Sequence, residues 1–460
     1  MLIEGEFDSR PVQHIRDFRF LGEAHQPQTA HELALLVGVV LPRSPAWEAE
    51  DSLDELGRLA SSASLEEVDR ILQSRKRIDP TYYIGKGKAA EVGKRAQALG
   101  VDLIIFDNDL SPAQMRNLET LTKRRILDRS GLILDIFARH ARSRTSRVQV
   151  ELAQLNYMLP RLTRQWSHLS RQAGGGATGG MGAAGVRGPG ETQLETDRRL
   201  VRSRISALSR ELKRIDGQMA TSRKQRLGQF KVVLVGYTNA GKSTLMHAIS
   251  GADVLVQDQL FSTLDSTTRA LNLDNNRKIL LTDTVGFIKR LPHHLFASFR
   301  ATLEETVEAD LLLHVVDMSH PHYEAQMATV EHVLAELDVA DRPTIVVFNK
   351  IDNIGNGDEQ EEHADALAAQ PDRVAVSALT GVGMEKLREK ILYYCHREEV
   401  TLELRIPQRE GRLLSQLHEH AEILEQSYDG DEVHVTVRLD QCWAGRWQLE
   451  RFTVAELATL

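Results

Sequence analysis

The 460-residue chain is poor in cysteine. It has two, Cys395 and Cys442, far apart and without metal-ligand spacing. That excludes a disulfide framework and a cysteine-rich zinc site, and it suits a reducing compartment. A long apolar run is also lacking. The longest, residues 33–41, is too short to cross a bilayer, so no membrane insertion is expected. The first residues, Met-Leu-Ile-Glu-Gly-Glu-Phe-Asp, have neither the basic start nor the apolar centre of a secretory leader. These absences predict a cytoplasmic protein, and its length suggests about three domains. Positive charge is in overall deficit, with a net of −8, but unevenly so. Residues 130–226 hold 18 Lys and Arg against 7 Asp and Glu, a net of +11, which leaves −19 on the remainder. Such a basic module either meets a polyanion or is a solvated arginine-rich helical face, and charge alone does not separate the two.

Against these absences stands one informative stretch. Residues 231–235 are apolar and β-branched, as in a buried strand, and residues 236–243 match G-x-x-x-x-G-K-[ST] ahead of an apolar-periodic helix. Gly236 and Gly241 allow the backbone N–H groups to turn inward on phosphate oxygens at a helix N-terminus. Lys242 reaches the β- and γ-phosphates and the Ser243 hydroxyl ligates Mg²⁺. The phosphate cradle then comprises Gly236, Tyr237, Thr238, Asn239, Ala240, Gly241, Lys242, Ser243 and Thr244.

Before it, residues 1–30 read as a loose leader and residues 31–130 as a small, mostly parallel α/β domain. Its expected strands are 33–41, 81–84, 101–106 and 126–128. Helices are expected from Ser52, from Ser64, over 89–99, and after the Ser111-Pro112 cap. Lys86 and Lys88, in the turn Gly85-Lys-Gly-Lys88, could contact a second nucleotide or RNA. The preferred reading is a tight turn with exposed lysines.

Residues 131–228 form the basic module. Val148, Leu152, Leu155, Leu159, Leu162, Trp166 and Leu169 alternate four- and three-residue steps. Leu194, Val201, Ile205, Leu208, Leu212, Ile215 and Met219 continue that rhythm after the glycine-rich segment 174–190. Two such seams joined by a glycine-rich tip predict an antiparallel coiled-coil hairpin, an arm kinked at Pro160. Arg161, Arg164, Arg171 and Arg187 are its candidate RNA contacts. The competing reading is a linker between two domains, which would need no paired seams.

Residues 229–398 carry further strand-end motifs. The polar loop with Phe261, Ser262, Thr263, Leu264 and Asp265 follows the first helix and can supply a hydroxyl to Mg²⁺. A strand over 279–282 ends in Asp283, Thr284, Val285 and Gly286. Asp283 orders the metal shell, and the Gly286 N–H faces the γ-phosphate. After the strand at 344–348 come Asn349, Lys350 and Asp352, whose carboxylate can pair with guanine N1–H and N2–H₂. Adenine lacks those donors and would leave the carboxylate unpaired. Ser377, Ala378 and Leu379 form a tight turn with a backbone N–H suited to guanine O6. Five such segments in order predict a GTP-binding, GTP-hydrolysing domain with a mainly parallel sheet. Residues 399–460 read as a small α+β domain with strands 400–405, 432–438 and 447–452 and a helix over 411–426.

From about residue 31 onward the sequence resembles the HflX family of ribosome-associated GTPases. The resemblance rests on Asp79-Pro-Thr-Tyr-Tyr-Ile-Gly-Lys-Gly-Lys88, Asp128-Arg-Ser-Gly-Leu-Ile-Leu-Asp-Ile-Phe137, Gln149-Val-Glu-Leu-Ala-Gln-Leu155 with Leu159-Pro-Arg-Leu162, and Arg187-Gly-Pro-Gly-Glu-Thr-Gln-Leu-Glu195. The family's Phe-Ala-Thr-Leu-Asp-Pro-Thr-Thr-Arg loop appears with Ser266 in place of proline. The resemblance implies binding to the large ribosomal subunit and its rRNA, splitting of stalled ribosomes, and an ATP site in the N-terminal domain. A ribosome-assembly or RNA-remodelling factor using ATP there, with GTP as regulator, is the alternative. Catalytic roles fall to Lys242, Thr263 and Gly286, and Mg²⁺ to Ser243, Thr263 and Asp283. Thr267 and Thr268 stand as the fallback switch threonines. Asn239 is either a K⁺ contact, as in some related GTPases, or a loop stabiliser. Phe287 stands where many GTPases place a water-orienting glutamine, so unassisted hydrolysis is expected to be slow. The chain is expected to act as a monomer that exchanges GTP and GDP.

Overall fold

The structure is a computed structural model. It describes residues 32–42, 45–162, 189–224, 230–251, 261, 264–274, 277–289, 305–354, 366, 368–397, 399–440, 444–445 and 447–457. The expected leader, Trp166, Leu169, residues 174–188 of the glycine-rich tip, Arg164, Arg171, Arg187, Ser262, Thr263 and Cys442 lie outside these. The chain forms two compact units that divide between Asp216 and Gly217, and the first also takes in residues 257–265 and 290–300.

In the first unit, β1 (Glu32–Val40), β2 (Leu65–Ser74), β3 (Leu103–Phe106) and β4 (Arg125–Asp128) make a fully parallel sheet in the order β2-β1-β3-β4. The connections are α1 (Ala46–Ser62), α2 (Lys86–Ala98) and α3 (Pro112–Thr122). β1 is apolar on both faces because both are covered. Leu35 and Val37 pack with Val92, Ala96 and Leu118, while a Cβ on Gly38 would press on Leu53 of α1. α3 starts with the expected cap: Ser111 Oγ accepts the Gln114 N–H and the Gln114 side chain accepts the Ser111 N–H.

Several expectations are corrected here. The segment after Ser64 is the edge strand β2, not a helix, because its backbone pairs along the whole of β1. Residues 81–84 form no strand, only a bridge from Tyr83 to Asp79. The expected boundary at 130 falls inside α4 (Arg129–His140), whose residues 129–137 are all buried.

The hairpin is present, with α5 (Arg144–Met158) and α6 (Pro189–Lys224). Val148, Leu152, Leu155 and Leu162 pack with Val201 and Leu208, with Leu159, Ile205 and Leu212 alongside. Arg144 pairs with Glu211 and Glu151 with Arg204. One step of seven up α5 is thus a step of seven down α6, which makes the pair antiparallel. Pro160 ends α5 rather than kinking it, as a ring that clashes with the preceding turn will do at a helix end.

In the second unit, β5 (Phe230–Gly236), β6 (Thr267–Asp274), β7 (Arg277–Asp283), β8 (Leu311–Asp317), β9 (Thr344–Asn349) and β10 (Arg373–Ala375) are ordered β10-β9-β8-β5-β7-β6. All pairs are parallel except the β6–β7 hairpin. α7 (Lys242–Ser250) and α9 (Met384–Arg397) pack on one core with Val232, Leu234, Leu313, Val347 and Val374, and α8 (Tyr323–Glu336) contributes Tyr323 and Met327 to a smaller one. A separate antiparallel sheet, β12-β13-β11-β14, follows: β11 (Glu399–Pro407), β12 (Glu422–Asp429), β13 (Glu432–Asp440) and β14 (Thr453–Leu457). α10 (Gly411–His420) covers it through Leu413 and Leu417. The expected helix to 426 stops at His420 and gives way to β12. The expected last strand at 447–452 is instead turn and the short 3₁₀ helix Leu449–Arg451, with β14 after it.

Candidate nucleotide site

The site gathers at the carboxyl ends of β5, β7, β8, β9 and β10, where an open α/β sheet offers its crevice. Gly236 closes β5 so near β8 that a Cβ would strike the Val315 carbonyl. Gly241 caps α7 at φ +92°, and a Cβ there would run into Asn349 Nδ2. The motif glycines therefore answer to close backbone approach as well as to a left-handed turn. Lys242 is buried, with Nζ donating to the carbonyls of Gly236 at 3.1 Å and Tyr237 at 2.8 Å. Burial pushes its pKa down to about 8, against the Asp283 charge and with the Lys350 charge. Such an ammonium is held in place, poorly solvated, where an anion could answer its charge.

Ser243 Oγ donates to Asp283 Oδ2 at 2.6 Å. A hydroxyl and a buried carboxylate are hard oxygen donors of the kind Mg²⁺ takes, and they already converge, so the donor set fits that ion. Nearby, the buried Thr238 Oγ1 has no hydrogen-bond partner among the described residues. Thr284 Oγ1 donates to Leu234 O at 2.7 Å and ties the end of β7 to β5.

Gly286 passes over the loop so closely that a Cβ would lie 2.8 Å from Thr238 Cα and 3.0 Å from Lys242 Nζ. Two backbone bonds hold this crossing, Thr238 N–H to Phe287 O at 2.8 Å and Phe287 N–H to Gly236 O at 3.1 Å. The Tyr237 hydroxyl accepts the Lys289 N–H at 2.9 Å. Phe287 is buried here and presents no polar group for a water. Asn239 is exposed, at φ +61°.

At the base end, Asn349 bridges two loops. Its Nδ2 donates to Ala240 O at 2.9 Å and its Oδ1 accepts the Ala378 N–H at 3.0 Å. Of the turn expected to offer a backbone N–H to guanine O6, the Ala378 N–H is thus taken by Asn349. Ser377 Oγ donates to Asp352 Oδ1 at 2.6 Å and steers that carboxylate. Val285 is half-buried, Thr244 is half-buried on α7, and Leu379 is the most exposed of the group. Sequence reasoning missed Asp317. It ends β8 and receives Lys350 Nζ at 2.7 Å, and its place at a strand end was the available signal. His314 on β8 was also missed. It is buried, and burial together with the Lys242 charge lowers its pKa to about 4.

The expected N-terminal and arm contacts fare differently. Lys86 opens α2 and is exposed, and Lys88 Nζ pairs with Glu91 at 2.7 Å. Arg161 is turned inward, contrary to its expected role on the arm. Its guanidinium donates to Tyr157 O at 2.9 Å, and to Leu110 O and Asp128 Oδ2 at 3.0 Å each, and it stacks 3.5 Å over the Tyr157 ring. Asp128 is fully buried, and an arginine there answers its charge.

Comparison with known proteins fits this geometry. Residues 50–138 match the family model described as GTP-binding GTPase N-terminal, and residues 140–226 match GTP-binding GTPase Middle Region. Residues 231–350 match 50S ribosome-binding GTPase. Among solved structures, a GTP-binding protein from the hyperthermophilic archaeon Sulfolobus solfataricus in complex with GDP is 24% identical, with a TM-score of 0.41 covering 79% of this chain and 98% of that one. That likeness is too low to bear on the site. GTPase HflX of Escherichia coli (strain K12) is 44% identical over 396 residues, which is 85% of this chain and 89% of that protein. GTPase HflX of Magnetococcus marinus is 41% identical over 93% of this chain and 96% of its own length. Identity at this level, over nearly the full length of both partners, shows that the chain belongs to the HflX family of GTP-binding, GTP-hydrolysing proteins.

Proposed function

We propose that this GTPase binds the large ribosomal subunit through its helical arm and dissociates stalled or stress-arrested ribosomes, with the ribosome accelerating hydrolysis. The observation that carries the reading is the antiparallel hairpin of α5 and α6, in a module of net charge +11, on the same chain as the nucleotide site. A long charged arm can follow an RNA backbone, and the family model that matches residues 231–350 is described as a 50S ribosome-binding GTPase.

Hydrolysis follows from the residues in place. Lys242, released from the loop carbonyls, sets its charge against the β- and γ-phosphates, while the Gly286 N–H is the candidate donor to the γ-phosphate. Mg²⁺ bound by Ser243 and Asp283, with Thr263 as the proposed switch ligand, would supply neutralising charge across the phosphates. Asp352, steered by Ser377, selects guanine, and Asn349 fixes both loops that frame the base. Phe287 offers the attacking water no hydrogen bond, so the ordering that speeds turnover comes from the ribosome. The test is light scattering of intact ribosomes mixed with the protein and GTP, GDP or a non-hydrolysable analogue. GTP-dependent loss of scattering, abolished by deletion of residues 174–190 with GTP binding kept, is the expected result. Intact ribosomes under all three nucleotides would remove the splitting activity and leave ribosome-stimulated turnover to be read separately. The same turnover assay in K⁺ and in Na⁺ reads the role of Asn239.

A further inference from the structure

Asp265 lies in the loop expected to carry the switch threonine, yet its carboxylate is bound at the root of the arm. Oδ2 accepts the N–H of Ser143 at 2.9 Å and of Arg142 at 3.2 Å, and Oδ1 accepts the Ser143 hydroxyl at 2.5 Å. Ser143 is the N-cap of α5, and its Oγ accepts the Ser146 N–H at 3.0 Å. The carboxylate thus sits on a helix N-terminus, where the dipole favours negative charge. Burial pushes the Asp265 carboxyl up, but the hydrogen bonds from Ser143, Ser146 and Arg142 outweigh it and hold the group below the usual range. On the other side of residues 262–263, the Phe261 ring meets Phe137 of α4 edge-on, with centroids 4.6 Å apart at 81°. Phe261 and Leu264 are 4% and 2% exposed. All these contacts lie within the first compact unit. Beyond Asp265 only Ser266 precedes β6, whose first residue, Thr267, pairs in register with Asp283.

We infer that Asp265 is a positioning residue for GTP hydrolysis, acting through Ser143, so that the root of the arm sets where the switch loop stands. Phe261 is held by α4 and Asp265 by the α4–α5 connection, and the next step along the chain from Asp265 is the strand pair that bears the proposed metal carboxylate. A movement of α5 is therefore delivered to the switch loop through a single carboxylate. The plain alternative is that Asp265 only caps α5. A cap contributes stability and leaves chemistry alone.

The experiment is single-turnover GTP hydrolysis by the full chain, with GTP affinity and thermal melting measured on the same variants. Asp265→Asn keeps the shape and removes the charge. Turnover at least fivefold slower, with GTP affinity within twofold, is the expected result. Ser143→Thr keeps the hydroxyl and is expected within twofold of the parent. Ser143→Ala is expected to slow turnover and to add nothing further in the Asp265→Asn background. Unchanged turnover in a folded Asp265→Asn protein would reduce Asp265 to a cap and overturn the inference. So would losses from the two sites that multiply, or a loss expressed wholly in GTP affinity.

Discussion

Two glycine–lysine turns each open a helix, and only the one proposed as the phosphate cradle has its neighbours fixed by other strand ends. In both, a glycine at positive φ caps a helix whose first residue is lysine: Gly241 with Lys242, and Gly85 with Lys86. Around Gly241 the neighbours are fixed. Asn349, itself bonded to Ala240 and Ala378, fills the space a Cβ would need, and Lys242 is drawn over the loop carbonyls and buried. Around Gly85 the neighbour is the end of the Arg75 side chain, which donates to Ile84 O. Lys86 is exposed, and Lys88 is paired with Glu91 on its own helix. The difference teaches that the residue types alone do not make the site. Four other strand ends must deliver groups to the same place, and only the second unit does so.

The sharpest way to break the comparison is to remove Lys242. Lys242→Ala takes away a buried charge proposed to meet the β- and γ-phosphates, and GTP affinity is expected to fall by about two orders of magnitude or more. Isothermal titration with GTP reads this, and an affinity within threefold of the parent would displace the phosphate site. Next in size is Asp352→Asn. The amide offers one acceptor where guanine presents two donors, and preference for GTP over xanthosine triphosphate is expected to drop by roughly tenfold to a hundredfold. Competition between the two nucleotides measures it, and an unchanged preference would move the base pocket elsewhere.

The two turns were unequally legible before the fold was known, and so were the elements around them. Each proposed nucleotide motif is local, a few residues at the end of an apolar strand, so periodicity and residue type sufficed to put Lys242, Asp283, Asn349 and Asp352 at or just beyond strand ends, where the fold has them. The elements misread as helix, β2 and β12, are both edges of their sheets. Edge strands carry charge on their open side, which blunts pairing with other chains and also erases the alternation that marks a strand. β2 has Glu66, Glu67, Asp69 and Arg70, and β12 is mostly exposed polar residues. Their identity as strands comes from registers with β1 and β13 that no local signal contains. The link between Asp265 and Ser143 was invisible for the same reason, since 122 residues separate two common polar side chains. Arg161 was placed on the arm by its charge, whereas a buried Asp128 thirty-three residues earlier determines where it points.

A third test works beneath the cradle. His314 has its pKa lowered to about 4 by burial and by the Lys242 charge, from an ordinary value of 6.5. The folded state therefore binds fewer protons than the unfolded chain between those values. Stability contributed by the neutral ring is present above pH 6.5 and is lost as pH falls toward 4. The loss is on the order of 3 kcal/mol at most. Urea unfolding across that range should be distinctly flatter for His314→Leu than for the parent, and parallel curves would show that the ring is not the group responsible.

The smallest effect belongs to the other turn. Lys86→Ala with Lys88→Ala removes both lysines from the Gly85 turn. If that turn is only a strand-to-helix connection, little should follow. Lys86 is exposed, and the Lys88–Glu91 pair is an exposed helical contact three residues apart, worth about 0.3–0.5 kcal/mol. GTP affinity should stay within twofold and melting should shift by no more than about 2 °C. The informative measurement is nucleotide binding by the double variant with ATP as the ligand. If the parent binds ATP and the variant loses it more than tenfold while GTP binding holds, the Gly85 turn is a second phosphate site despite its open neighbourhood. The contrast between the two turns would then lie in which nucleotide each accepts. If neither protein binds ATP, the fixed neighbours around Gly241 are what separate a cradle from a turn of the same composition.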